Sequence, residues 1–417
     1  MMLARLLFKH GRSSILFGIG CVSLVAVSWA QTVGGGLKES SAKLPQRIDP
    51  VPLTFSEQCL KPSQTVTLMA VGDVLLHDSL QRWAANQPAG FFSMMQSLQD
   101  LLSAADVAVA NLEGPAAAGV LPSGAAVPEP AVRYDASVYR GYPMFNYHPS
   151  IVADLKRLGI DVLQTANNHS LDRRSLGVDR TIEAIQAQGL VWTGTRHSRS
   201  PYQAWYGIHS IDKGGRRYNL AYLACAYGTN GIADPKKQVL QCYQDKEVVL
   251  ATIRQLRADP LIHAIVVLPH WGQEYQPQPD AAQMRLAREM AQAGATAIIG
   301  THPHVAQPIE LIPTAEGRLV PVVYSLGNFV SHQIGLPRLS SLIYMLALTP
   351  DDSGKLSAQR VAWIPLQMKT GASFSVDAID RLPPAQVSAT RQHLLKTYSE
   401  KNLHPAQLPL WAEHSCR

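Results

Sequence analysis

The chain has 417 residues, 46% hydrophobic and 16% charged, which is apolar material enough for one large core or two smaller ones and excludes a disordered chain. Its formal charge is +6 with no basic run carrying interleaved aromatics, so the sequence argues against nucleic acid as a partner and is compatible with an anionic ligand.

The first thirty residues stand apart. Arg5, Lys9 and Arg12 form a basic start, an apolar stretch runs from Ile15 to Val27, and Ser28 and Ala30 place small residues where a signal peptidase reads. We expect an export signal over 1–30 and hence a periplasmic or extracellular protein. The alternative is an uncleaved N-terminal anchor, since Ile15 to Ala30 falls only slightly short of the roughly 20 residues that span a bilayer. Removing 1–30 deletes three basic and no acidic groups and leaves a charge of +3. Four cysteines follow, Cys59, Cys225, Cys242 and Cys416, and an oxidising compartment would allow up to two disulfides among them. Cys59 and Cys416 flank the core, so joining them would tie its ends. Cys225, inside the apolar run NLAYLACAY, reads as a buried thiol.

Residues 31–64, rich in Gly, Ser, Lys and Pro, read as a tether, and the core begins near Thr65. Strand-like runs then alternate with helical ones. Ile151, Leu155 and Leu158 lie at helical spacing and stop at Gly159; Val178, Ile182 and Ile185 repeat the pattern up to Gly189. Val249, Ile253 and Leu256 mark a helix before HAIVVL, and Asp280 caps one through Met284, Ala287 and Met290 to Gly294. Strand–helix–strand units imply an α/β fold with function carried at the strand ends. Residues 114–143 lack periodicity and read as a long loop beside Glu113. SLIYMLAL and QRVAWIPLQM read as strands completing the sheet, ahead of a terminal helix and tail within 346–417.

Five strand-like runs end by delivering a polar side chain. VTLMAVGD ends in Asp73, ADVAVANLEG in Glu113, DVLQTANNH in Asn168 and His169, AIVVLPHWG in His270, and AIIGTHPHV in His302 and His304. Two positions apart on an extended segment, His302 and His304 project to one side and can reach one metal. Each residue has a plainer reading alone, Asp73 as a turn residue and His270 as an imidazole packed beside Trp271. One shared site explains all five ends, where the plain reading needs a separate accident at each. Hard oxygens and imidazoles around two cations, with one carboxylate between them, make a hydrolytic dinuclear centre, and this mixed ligation suits Mn²⁺, Fe or Zn²⁺ alike.

The ordered motifs GDVLLHDSL, ANLEGP, TANNHSLD, HWGQEY, IIGTHPHVAQPIE and YSLGNF resemble the CapA (PgsA) family of poly-gamma-glutamate capsule biosynthesis proteins, a branch of the calcineurin-like metallophosphoesterase superfamily. The resemblance covers roughly 65–345. It implies a four-layer αββα sandwich, with the site at the loops joining strands to helices. It also implies that Asp73 is the first-strand ligand, Glu113 the bridging carboxylate, and Asn168 a ligand beside His169 as the acid. His270, His302 and His304 complete the set. Two positions depart from the superfamily pattern: Leu75 stands where a histidine is usual, and Asn167 where a glycine precedes the Asn-His pair. His77 is a candidate substitute ligand. Glu310 is a candidate acceptor for a metal-bound imidazole, and Asn328 a candidate cleft residue, as are Tyr227, Asn230, Tyr275 and Arg133.

The function expected from this reading is that of an exported, metal-dependent hydrolase-like protein of capsule or poly-gamma-glutamate biosynthesis, retention or release, partnered by the anionic polymer and a membrane synthase complex. The alternatives are a phosphomonoesterase or phosphodiesterase on an exported substrate, and a non-catalytic polymer-binding scaffold.

Overall fold

The computed structural model describes residues 63–398 and 403–411, all within the unit Leu44–Arg417. The expected signal segment, nearly all of the tether, Cys59 and Cys416 lie outside the described residues. The chain enters a first sheet with four parallel strands, β1 (Val66–Val74), β2 (Val107–Leu112), β3 (Val162–Gln164) and β4 (Val191–Thr193). It then builds a second sheet from β5 (Tyr206–Lys213), β6 (Arg216–Ala226), β7 (Ala264–His270), β8 (Ala297–Ile299), β9 (Ala306–Pro313) and β10 (Leu319–Leu326). It returns to the first sheet with β11 (Asn328–Val330), β12 (Ser340–Pro350), β13 (Leu356–Lys369) and β14 (Ser375–Ala378). The first sheet runs β14-β13-β12-β1-β2-β3-β4 with β11 paired to β1, and the second β5-β6-β7-β8-β10-β9.

Side chains alternate along each strand, and that alternation sets the layers. In β1, Val66, Leu68 and Ala70 face the second sheet while Met69 and Val71 face outward; in β6, Leu220, Tyr222 and Ala224 face in while Ala221, Leu223 and Cys225 face out. Both faces of both sheets are therefore apolar, and each outer face needs a helical cover. Of the helices α1 (Asp78–Ala85), α2 (Gln99–Leu102), α3 (Ser150–Leu158), α4 (Arg174–Ala187), α5 (Lys246–Ala258), α6 (Ala281–Ala293), α7 (Pro384–Thr397) and α8 (Leu408–Trp411), α1 and α3 cover the first sheet, and α5 and α6 the second. The result is the expected α/β four-layer sandwich, helices–sheet–sheet–helices. α6 starts on the expected cap, a reciprocal Asp280–Gln283 box, and α3 stops at Gly159.

The run VPVVYSLGNFV is split at Gly327, with β10 in one sheet and β11 in the other. Cys225 corrects the sequence expectation: it is bonded to Cys242 and is not a free thiol. Residues 113–149 hold no named strand or helix and are pinned by the buried Arg173, which donates to the carbonyls of Val120, Val138 and Met144. Among the described residues no helix is long and apolar enough to cross a membrane.

Candidate metal centre

The parallel strands of both sheets end at one rim, and that shared end is where the polar side chains meet. Asp73 lies within β1, and its own backbone N–H donates to the Gly327 carbonyl at 3.1 Å. Gly72 permits the approach, since a Cβ there would sit 1.8 Å from that oxygen. Gly300 does the same before the histidine loop: a Cβ would sit 2.1 Å from the Tyr324 carbonyl oxygen. Glu113 follows β2, Asn167 to His169 follow β3, His270 ends β7, and His302 and His304 follow β8.

The structure gathers Asp73, Glu113, Asn168, His270, His302 and His304. Two donor groups, Asp73–Glu113–His304 and Glu113–His270–His302, each have ligand atoms within 4.8 Å of one another, and they share Glu113. Asn168 Oδ1 lies 2.8 Å from His270 Nε2, and Asp73 Oδ2 lies 3.0 Å from His304 Nδ1. Glu113 Oε1 is 3.5 Å from His270 Nε2 and 3.8 Å from His304 Nε2.

Glu113 is fully buried, yet neither of its carboxylate oxygens accepts a hydrogen bond; His302 Nδ1 is likewise buried and unpartnered. A buried carboxylate left in that state costs several kcal/mol unless a cation balances it. The donor set, two carboxylates, a carboxamide oxygen and three imidazoles, is that of a mixed O/N site for Mn²⁺, Fe or Zn²⁺. These residues fit a divalent cation, and Glu113 belongs to both donor groups.

The electrostatics differ across the centre. Burial opposes the charge on Asp73, but the hydrogen bond and charge of His304, with His270 and Asn111, hold its pKa below the usual value. Burial also opposes a proton on His304, yet Glu113 and Asp73 raise it to about 9. His302 is pushed well below its ordinary value by burial and by its neighbours His270, His304 and His169, which keeps it in the neutral, ligating form.

The histidine pair reaches the site differently from the sequence expectation. β8 stops at Ile299, and residues 302–305 bend, with φ of 100° at His302 and 59° at His304. Both imidazoles are aimed by a left-handed backbone and not by strand alternation; this strain costs on the order of 1–3 kcal/mol per residue. Their ring centroids are 5.8 Å apart.

His169 sits at the edge of the group, its Nδ1 2.8 Å from Asp172 Oδ2 and its ring 4.7 Å from Phe145. Burial opposes a charge there, but the Asp172 hydrogen bond and charge outweigh it and raise its pKa. Asn167 is a brace: its Nδ2 donates to Asn111 Oδ1 and to the Leu112 carbonyl. Asn328 donates from Nδ2 to the carbonyl of His304 at 3.3 Å.

His77 belongs to none of the three candidate ligand groups; its Nδ1 lies 3.2 Å from the Leu75 carbonyl and accepts from the His332 N–H, and burial holds its pKa down to about 4. Glu310 does not orient an imidazole, because Arg288 at 2.7 Å and the Tyr324 hydroxyl at 2.6 Å take its carboxylate on the α6 side of the sheet. Tyr227 and Tyr275 stand over His302 and His304 at 4.4 and 6.1 Å between centroids, and Asn230 accepts from Asn168 Nδ2. Arg133 lies instead against the Gly90 turn beside Asp154.

Four residues join the centre that single-residue reading passed over. Asn111 Nδ2 donates to Asp73 Oδ1 at 2.7 Å and lies 3.2 Å from His270 Nδ1; Thr301 Oγ1 is 3.0 Å from the same nitrogen. Asp172 orients His169, and the exposed Glu274 forms a third donor group with His302 and His304. Each stands inside or beside a quoted motif, ANLEGP, GTHPHV, TANNHSLD or HWGQEY, which was the available signal.

Residues 67–333 match the family described as bacterial capsule synthesis protein PGA_cap. The PGA biosynthesis protein CapA of Bacillus subtilis (strain 168) is 28% identical over 290 residues, covering 67% of this chain and 65% of that protein. The capsule biosynthesis protein CapA of Bacillus anthracis is 30% identical over 186 residues, 44% of this chain and 43% of that protein. The match thus spans less than two thirds of the length of either relative. Among solved structures, the NAD nucleotidase (NadN) of Haemophilus influenzae is similar with a TM-score of 0.42 at 12% identity, over 84% of this chain and 60% of that one.

Proposed function

The chain belongs to the bacterial capsule synthesis protein family PGA_cap, and from that membership we propose that it is an exported, metal-dependent hydrolase acting on capsule polymer, poly-gamma-glutamate or a close analogue, during its assembly, retention or release. The observation that carries the reading is Glu113, whose two buried oxygens lack any hydrogen-bond partner between two histidine-bearing donor groups.

Asp73, Glu113 and His304 would hold one cation, and Glu113, Asn168, His270 and His302 the other. When bound, such ions supply Lewis acidity toward an anionic centre and an activated water. The chain's own residues do the rest. Asp172 accepts from His169 Nδ1, which leaves Nε2 as the nitrogen that passes a proton to the leaving group, and the Asp172 hydrogen bond and charge favour the protonated ring against burial. Asn111 and Thr301 fix the His270 ring from its Nδ1 side, so its Nε2 faces Asn168 and Glu113. Export is supported by the Cys225–Cys242 disulfide, a bond that persists in oxidising compartments. A membrane synthase complex is the proposed setting.

Elemental analysis of the tag-free protein, paired with Mn²⁺-supplemented phosphoesterase and polymer-cleavage assays before and after His169→Ala, tests the reading. Near-stoichiometric metal and turnover abolished by the substitution are expected. A folded protein without metal ends the proposal; metal and polymer binding without turnover would make it a scaffold.

A further inference from the structure

We propose that Arg338, stacked on Tyr275 at the rim of the metal centre, is a binding subsite for an anionic group of the substrate, either a carboxylate of an acidic polymer or a phosphate oxyanion. The inference rests on the reading of that centre as the place where substrate is held.

Arg338 lies in a short turn, Leu336–Leu339, between β11 and β12. Its Cζ is 4.2 Å from the centre of the Tyr275 ring, and the His304 ring is a further neighbour of Tyr275, 6.1 Å away between centroids. The guanidinium is therefore one aromatic ring away from the first donor group. Stacking engages only the face of the plane and leaves the N–H fork along its edge free. Among the described residues no carboxylate lies within ion-pair distance of Arg338, whereas Arg217, Arg288, Arg318 and Arg381 are each paired with an acid. Glu274, the carboxylate next to Tyr275 in sequence, is grouped with His302 and His304.

The position is fixed by the same contacts that fix the site. Asn328 Nδ2 donates both to the His304 carbonyl at 3.3 Å and to the Arg338 carbonyl at 3.0 Å, binding the two backbones together. The Tyr275 N–H donates to the Pro303 carbonyl at 2.8 Å, and Gln333 Nε2 reaches the Tyr275 hydroxyl at 3.4 Å. Tyr275 is 41% exposed, and its backbone holds φ at 66°. A planar, unpaired, pre-oriented guanidinium beside a hydrolytic centre suits bidentate capture of a carboxylate or phosphate.

The test uses the full chain loaded with Mn²⁺ and a fluorescein-labelled γ-linked glutamate oligomer, read by fluorescence anisotropy, with metal per chain measured on each sample. Arg338→Gln should weaken oligomer binding about tenfold or more, as expected for a charge-assisted pair, with metal content unchanged. Arg338→Lys should fall between, because lysine keeps charge without the fork, and Tyr275→Leu should lose a smaller factor. Inorganic phosphate competing with the oligomer on wild type but not on Arg338→Gln assigns the subsite to phosphate; no competition assigns it to carboxylate. Wild-type binding in both Arg338→Gln and Tyr275→Leu, or parallel loss of metal and oligomer in Arg338→Gln, overturns the proposal. Should Arg338→Gln not fold, wild-type binding by Arg338→Lys overturns it. A metal-free wild type that still shows Arg338-dependent binding would sink the hydrolase reading alone.

Discussion

The two sheets bring different chemistry to the centre. The first supplies oxygens, Asp73, Glu113 and Asn168, from the ends of β1, β2 and β3; the second supplies nitrogens, His270, His302 and His304, from the ends of β7 and β8. The oxygen half holds unsatisfied negative charge in a dry place, and the nitrogen half holds imidazoles that repel one another when protonated. Each half is costly alone, and on the proposed reading cations held between them would offset both costs and tie sheet to sheet.

That contrast can be broken most directly at Glu113, which both donor groups share. Glu113→Gln keeps the shape and removes the charge; we expect loss of both cations by elemental analysis and a fall in turnover of about 10³-fold. Retention of both ions would end the shared role. His302→Ala leaves the Asp73–Glu113–His304 group intact, so roughly half the metal should go, with that group still loaded.

Chelation probes the tie between the sheets. Ligand present at a thousand times its dissociation constant stabilises by about 4 kcal/mol, so EDTA should lower the thermal midpoint by several degrees, and wild type should lose more than Glu113→Gln. An equal response would show that the cations add nothing to stability. The disulfide sharpens the nitrogen side, since the Cys225–Cys242 bond closes the loop that carries Tyr227 and Asn230. With a sequence separation of 17, Cys242→Ser should cost about 3 kcal/mol in urea unfolding while metal content stays constant.

The smallest expected change is at His169. Asp172 holds its pKa up against burial, so Asp172→Asn should move the alkaline limb of the pH–rate profile to lower pH. The sign follows because the proton that His169 donates is then lost earlier as pH rises. An unmoved limb would mean another group sets it.

Much of the architecture was legible because periodicity reports burial. The spacing of Ile151, Leu155 and Leu158 gave α3, and the Asp280 cap with its Met284, Ala287 and Met290 face gave α6. The strand-ending side chains were legible too, since a polar residue closing an apolar run needs a reason to be there. Glu310 misled because it follows the histidine pair closely, but strand alternation in β9 turns it to the α6 side, where Arg288 and Tyr324 take it. Cys225 misled because an apolar run looks the same whether its thiol is free or bonded. Asn111 went unweighed although it stands inside ANLEGP, because its worth depends on Asp73 and His270 meeting beside it.

The sequence by itself determined which segments form strands and helices, which faces they bury, and which side chains stand at their ends, because those properties depend on near neighbours along the chain. Only the tertiary structure decided that the oxygen and nitrogen halves face each other across Glu113, that His302 and His304 adopt a left-handed backbone, and that Arg338 lies on Tyr275. These depend on how two sheets pack and where their ends converge, and distances between residues far apart in sequence are fixed by that packing alone.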